Sequence, residues 1–251
     1  MAKIPVGLQL YSVREDMGKD VPGTLKAVAD MGYDGVEFAG YFDYSAEDLS
    51  DLVDDLGLKV CGSHCRIDGI LPDGIQETID FAHVLSNPYI VVPGLPGEYT
   101  QSKEAWQRSA GIFSEAEVTL KDAGLKLGYH NHKHELAQKF DGVSAWDVFF
   151  DAASDQVFSQ LDVGHVLRAD ADPVACLRKY PGRFATVHVK DIDETKTDVF
   201  TGDGLADWDT IFAICESTGG TEWYIIEHED YPVPPLESVK RCLENVRAMG
   251  R

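Results

Sequence analysis

Short apolar runs alternate with longer helical stretches along the chain. The first run covers residues 6–11, and a helix opens after it at Asp20 with Pro22 in its first turn, where the absent N–H costs nothing. The second run covers 35–39. Its helix opens at Ser45 with Asp48 three residues on, a capping-box-like start with Asp in place of Glu. A third run, 59–64, follows Gly57. A fourth, 89–92, is closed by Pro93-Gly94, and a long helix over 103–122 stops at Gly124. Runs at 126–132, 158–163, 184–190 and 223–229 bring the number to eight, with Asp172-Pro173 and Pro235 opening further helices. Strands that alternate with helices predict an α/β chain with a parallel sheet. Eight such units predict a (β/α)8 TIM barrel, a single domain over residues 1–251, and the length is close to that of one barrel. The doubly wound alternative lacks its Gly-rich fingerprint after the first run.

Polar residues collect at the ends of these runs, where a packed core would not place them. Glu37 lies in the second run and His64 ends the third. The fifth ends in His130-Asn131-His132. The sixth holds Asp162, with His165 just beyond. The seventh holds His188 and Lys190, and the eighth Glu227 and Glu229. A TIM barrel builds its active site at this C-terminal face. Strand alternation puts His130 and His132 on one face and Asn131 on the other. It likewise pairs Glu227 with Glu229 and turns His228 away. Four such groups, His130, Asp162, His188 and Glu227, converge from four adjacent strands, and a cation would neutralise and order them. His132 is an alternative to His130. Imidazole and carboxylate together suit a transition metal or Zn²⁺ better than Ca²⁺.

Charge narrows the partners. There are 43 acidic residues against 22 basic, a formal net charge of −21. Such a surface repels phosphate backbones, so nucleic acid is not an expected partner. The acids lean towards Asp and Lys is sparse, a composition that fits a high-salt cytoplasm in which self-repulsion is screened. No apolar run approaches the ~20 residues that span a bilayer. The start of the chain reads without a leader peptide, so the expected location is cytoplasmic. Five cysteines without a CxxC pair read as scattered thiols. A homo-oligomer is left open.

Several longer segments carry a family resemblance. They are Gly7-Leu8-Gln9-Leu10-Tyr11-Ser12-Val13-Arg14, Gly32-Tyr33-Asp34-Gly35-Val36-Glu37, Tyr129-His130-Asn131-His132 and Leu161-Asp162-Val163-Gly164-His165. His188-Val189-Lys190-Asp191, Gly202-Asp203-Gly204 with Trp208, and Ile226-Glu227-His228-Glu229 complete the set. In order and spacing they resemble the xylose isomerase-like TIM barrels, the sugar phosphate isomerases and epimerases, over essentially the whole chain. Ketose epimerases of that superfamily hold their metal with Glu, Asp, His and Glu from strands five to eight. Asp162, His188 and Glu227 match the last three, while His130 occupies the first position. That departure puts the symmetric two-glutamate acid–base scheme in doubt, and inosose dehydratases look similar here.

The resemblance implies a metal-dependent isomerase or epimerase that works through an enediolate on a small keto-sugar or sugar phosphate. A lyase or dehydratase on a keto-sugar or keto-inositol is the alternative, and a non-catalytic sugar-binding barrel a third reading. The implied cofactor is a divalent ion (Mn, Zn, Co, Fe or Mg). Glu227 is the expected base, and His132 or His165 would protonate the other face or a leaving group. Lys190 would bind a substrate oxygen or form an ion pair. Arg14, Glu37, His64 and Glu229 are the expected substrate-binding residues, and Tyr11 and Trp208 are candidates for an apolar wall. An endonuclease IV-like repair enzyme would need an Asp-x-His pair after strand seven, and no His occurs between residues 198 and 208.

Overall fold

The computed structural model describes residues 3–251, so the first two residues of the expected barrel, and with them part of the leader-peptide reading, lie outside it. Eight parallel strands close into a barrel: β1 (Val6–Gln9), β2 (Gly35–Phe38), β3 (Lys59–His64), β4 (Tyr89–Val92), β5 (Lys126–His130), β6 (Phe158–Asp162), β7 (Thr186–Val189) and β8 (Trp223–Ile226). They neighbour one another in chain order, and β8 pairs with β1 to complete the ring. Eight helices pack outside: α1 (Val21–Met31), α2 (Ala46–Asp55), α3 (Ile75–Val84), α4 (Lys103–Asp122), α5 (Ala145–Ala152), α6 (Pro173–Lys179), α7 (Trp208–Ile214) and α8 (Pro235–Ala248). The expected caps are present. The Asp20 side chain accepts from the Gly23 N–H, that of Ser45 from Asp48 and that of Asp172 from Val174. Among the described residues no helix is long and apolar enough to cross a membrane.

Strand alternation divides the apolar core in two. Most of it lies between strands and helices, with Ile90, Val92, Tyr224 and Ile226 among the strand contributors. A separate cluster of Cys61, Tyr89, Val91, Phe158, Ala185, Trp223 and Ile225 fills the floor of the barrel from the opposite faces of those strands. Gly128 leaves the space that the Phe158 ring occupies, since a Cβ there would lie 2.5 Å from it. Two residues further along β6 and β8 the interior turns polar. Gln160 follows Phe158, and Glu227 follows Ile225. The barrel is therefore sealed below by hydrophobic packing and carries its chemistry above.

Several strands end earlier than the apolar pattern predicts. β5 stops at His130 because His132 becomes the N-cap of a short helix, Lys133–Ala137, in a capping box with Glu135. β6 stops at Asp162, whose Oδ1 accepts the His165 N–H and caps the helix Val163–Arg168. At both places polar side chains satisfy backbone donors that a longer strand would have paired.

The Gly202-Asp203-Gly204 segment is built around Asp191, which is buried. Its carboxylate accepts the backbone N–H groups of Ile192 (3.0 Å), Gly202 (3.0 Å), Gly204 (3.2 Å) and Ala206 (3.2 Å), and the indole N–H of Trp208 (2.8 Å). Gly204 passes so close to Asp191 that no Cβ would fit. Trp208 is thus a core residue tied to Asp191 rather than a wall of the barrel mouth. Asp191→Ala leaves these buried donors without an acceptor, and a loss of roughly 2–4 kcal/mol is expected. Urea unfolding measures it, and an unchanged midpoint would show that the loop does not depend on Asp191.

Candidate metal centre and active site

The upper interior of the barrel holds a ring of hydrogen-bonded polar groups with Glu37 at its centre. Glu37 is fully buried. Its Oε2 accepts from Gln9 Nε2 at 2.7 Å and from His188 Nε2 at 2.7 Å, and its Oε1 from Gln160 Nε2 at 2.6 Å. His64 Nε2 lies 3.3 Å from the same carboxylate. Burial opposes the charge of Glu37, but His64 and His188 outweigh it and hold the carboxyl well below the usual range. A Cβ at Gly62 would lie 2.5 Å from Glu37 Oε1, so that glycine makes the room Glu37 occupies. Neither Gln9 nor Gln160 stands out in the sequence, because a single amide in an apolar run carries no signal of its partners.

Above this ring His130, Asp162, His188 and Glu227 each offer one ligand atom, all within 4.8 Å of one another. All four are buried. Asp162 Oδ2 has no hydrogen-bond partner although it is buried, and it faces His188 Nδ1 at 3.8 Å and Lys190 Nζ at 3.5 Å. A carboxylate oxygen without a hydrogen bond in a barrel interior, with only the 3.5 Å Lys190 contact beside it, is costly, and a divalent cation is the partner its surroundings fit. Two of the donors are also in the right state. Burial, reinforced by His188 and His132, pushes the His130 imidazole well below its ordinary pKa and keeps it neutral. Burial would raise the Glu227 pKa, but Lys190 and His188 outweigh it and keep the carboxylate ionised. His188 differs. Burial disfavours its charge, but Glu37 and Glu227 raise its pKa to about 10, and its Nδ1 lies 2.8 Å from Glu227 Oε2.

A cavity of about 590 Å³ opens onto this cluster, with Glu227, Glu229, His64, His130, His132 and Tyr11 in its lining. The remaining sequence candidates lie elsewhere. Lys190 is fully buried behind the carboxylates and pairs with Glu229 at 2.5 Å, Glu227 at 3.4 Å and Asp162 at 3.5 Å. Burial opposes its charge, but these acids raise its pKa and keep it cationic. Of its two expected roles, the ion pair is the one present. Gly164 lies against the Lys190 stem, where a Cβ would come within 2.6 Å of Cγ. His165 is buried beside Lys190, and burial pushes its pKa down to about 3. His132 is likewise lowered by burial. Glu37 lies beneath the cluster rather than in the cavity. Arg14 is held at the rim, where it donates to Tyr231 Oη at 2.7 Å and stacks over the Tyr11 ring at 4.4 Å. His228 points outward as alternation predicts, stacked on Phe200 with its centroid 5.8 Å away.

A family model described as xylose isomerase-like TIM barrel matches residues 25–249. The chain belongs to that family. An inosose dehydratase from Glaesserella parasuis is 27% identical over 247 residues, a match covering 83% of this chain and 82% of the relative. A second inosose dehydratase, from Clostridium beijerinckii, is 26% identical over 184 residues, and there the match spans only 61% of either chain. Among solved structures, a sugar phosphate isomerase/epimerase from Parabacteroides distasonis superposes with a TM-score of 0.81 at 25% identity, covering 98% of this chain and 95% of its own. The IOLI protein, solved with a bound zinc atom, shares the fold with a TM-score of 0.76 at 17% identity, over 97% of each chain. This family member therefore has enzymes among its relatives, of both isomerase and dehydratase name.

Proposed function

We propose that this chain is a metal-dependent dehydratase that enolises a small polyhydroxylated ketone, an inosose or a closely related keto-sugar, and expels one of its hydroxyls as water. One observation carries the choice over epimerisation. The cavity has a carboxylate, Glu227, on the β8 side but imidazoles, His130 and His132, on the β5 side. A two-glutamate epimerase requires a second carboxylate at His130. The inosose dehydratases among the relatives support the same choice.

His130, Asp162, His188 and Glu227 are the residues that would hold the ion. When bound, a divalent ion supplies Lewis-acid polarisation of a carbonyl, worth several kcal/mol of charge stabilisation. Glu227 is anionic, faces the cavity and accepts the proton next to the carbonyl. Lys190 keeps Glu227 ionised from behind, pairs with Glu229 and does not itself touch the cavity. Burial lowers the pKa of His132 and leaves its imidazole neutral, and it relays the proton taken by Glu227 to the departing hydroxyl, which leaves as water. Glu229 and His64 hold substrate hydroxyls, and Tyr11 supplies an apolar wall.

The test is incubation of protein loaded with Mn²⁺ or Co²⁺ with an inosose in D₂O. The expected result is an unsaturated carbonyl product that absorbs in the near ultraviolet. Deuterated sugar with an intact carbon–oxygen skeleton, and no such product, would return the reading to isomerase or epimerase. No exchange with any keto-sugar in a panel would reject enolisation altogether.

A further inference from the structure

Gln160 is a buried amide whose four hydrogen-bonding positions are all filled. Its Nε2 donates to Glu37 Oε1 at 2.6 Å and to Thr186 Oγ1 at 2.9 Å. Its Oε1 faces His64 Nε2 at 2.7 Å and His130 Nδ1 at 3.1 Å. The direction of the amide is not arbitrary. A carboxylate only accepts, so the nitrogen must lie towards Glu37 and the oxygen towards the two imidazoles. That oxygen also only accepts. Each imidazole nitrogen facing it therefore carries the hydrogen, and in a neutral imidazole the other nitrogen is left bare.

We propose that Gln160 is the positioning residue of the metal centre. Locked by Glu37, it holds His130 as the Nδ1–H tautomer so that His130 presents a bare Nε2 to the ion. Glu37 orients the second imidazole through its other nitrogen, taking the Nε2–H of His188 at 2.7 Å and turning its Nδ1 towards Asp162 and Glu227; that Nδ1 donates to Glu227 in the metal-free protein and would release its hydrogen to bind an ion. The two imidazoles are thus fixed through opposite ring nitrogens by one connected pair, Gln160 and Glu37. His64 is drawn into the same arrangement. Its Nε2–H is committed to Gln160, which leaves Nδ1 as its acceptor nitrogen, 3.5 Å from Gln9 Nε2. Groups that orient metal-ligating histidines through their second nitrogen typically alter metal affinity 10-fold to 100-fold when removed.

This inference rests on the metal site of the proposed function but not on the reaction. The test uses metal-free full-length protein with ¹⁵N-labelled histidine, in which long-range ¹H–¹⁵N correlation spectra identify the tautomer of each ring. The expected wild-type result is His130 protonated on Nδ1 with a bare Nε2, and His64 protonated on Nε2. In Gln160→Met, similar in size but without the amide, the His130 preference should be lost. Co²⁺ affinity should then fall about 10-fold to 100-fold, while the far-ultraviolet spectrum and the resonance of the remote His83 stay in place. A wild-type His130 protonated on Nε2 overturns the proposal, and so does a Gln160→Met protein with unchanged tautomers and Co²⁺ affinity. If the variant does not fold, the wild-type spectra decide alone. Co²⁺ that binds the wild type without any turnover of an inosose would reject the dehydratase while leaving the role of Gln160 intact.

Discussion

Replacing Glu227 by Gln is expected to reduce turnover by ~10²-fold to 10⁴-fold, the usual contribution of a positioned base. Gln keeps the shape of the side chain and one ligating oxygen, so part of the metal affinity should persist. It cannot accept a proton from carbon at neutral pH. Two neighbours would respond to the change. His188 Nδ1 loses its 2.8 Å carboxylate partner, and Lys190 loses one of its three acids. Lys190 keeps Glu229 and Asp162, so the barrel should remain folded. His132→Ala, in contrast, should retain the metal and slow the departure of the hydroxyl. Solvent exchange at the carbon next to the carbonyl would then outpace product formation. Rapid-quench exchange in D₂O separates the two variants. Wild-type exchange in a metal-loaded Glu227→Gln protein would transfer the base role to Glu229 or a histidine.

Asp162→Asn is expected to cost at least two orders of magnitude in metal affinity, and activity with it. The change is small in volume, and its effect depends on which oxygen is replaced. Oδ1 accepts the His165 N–H and caps the helix Val163–Arg168, a role Asn performs equally well. Oδ2 is the buried oxygen without a hydrogen-bond partner. An amide group in its place brings hydrogens towards the site where the ion would sit and towards the Lys190 ammonium, 3.5 Å away. Negative charge is also removed from a cluster that must neutralise a divalent cation. Titration with Co²⁺ or Zn²⁺ reads the loss, and a thermal midpoint close to wild type in the metal-free state would show that the cap survived. Retained affinity would mean that the ion is held without Asp162.

The eight strand–helix units were legible in the sequence because burying one face of each strand and helix imposes a period that local composition reveals. β3, β4 and α4 match their predicted extents, and the caps at Asp20, Ser45 and Asp172 are local hydrogen bonds that need no tertiary partner. The candidate cluster was legible for a related reason. A carboxylate or imidazole at the end of an apolar strand is conspicuous, and a closed parallel barrel brings all such ends to one face. The ends of β5 and β6 were not readable, since whether the chain continues as a strand or turns into a capped helix depends on what neighbouring strands leave unpaired. Lys190 shows the same limit. Its sequence position allows either a substrate contact or an ion pair, and only the packing of Glu229, Glu227 and Asp162 around its ammonium decides between them. Glu37 is conspicuous as a polar residue in an apolar run, which suggests a substrate contact, but it does not line the cavity. Closure of the barrel sets it one layer lower, among Gln9, Gln160 and His188, side chains from β1, β6 and β7. The four residues of the candidate cluster could thus be named from the chain alone. Which nitrogen of each histidine faces the candidate site is a property of partners as many as 151 residues apart in sequence, and only the folded barrel brings them together.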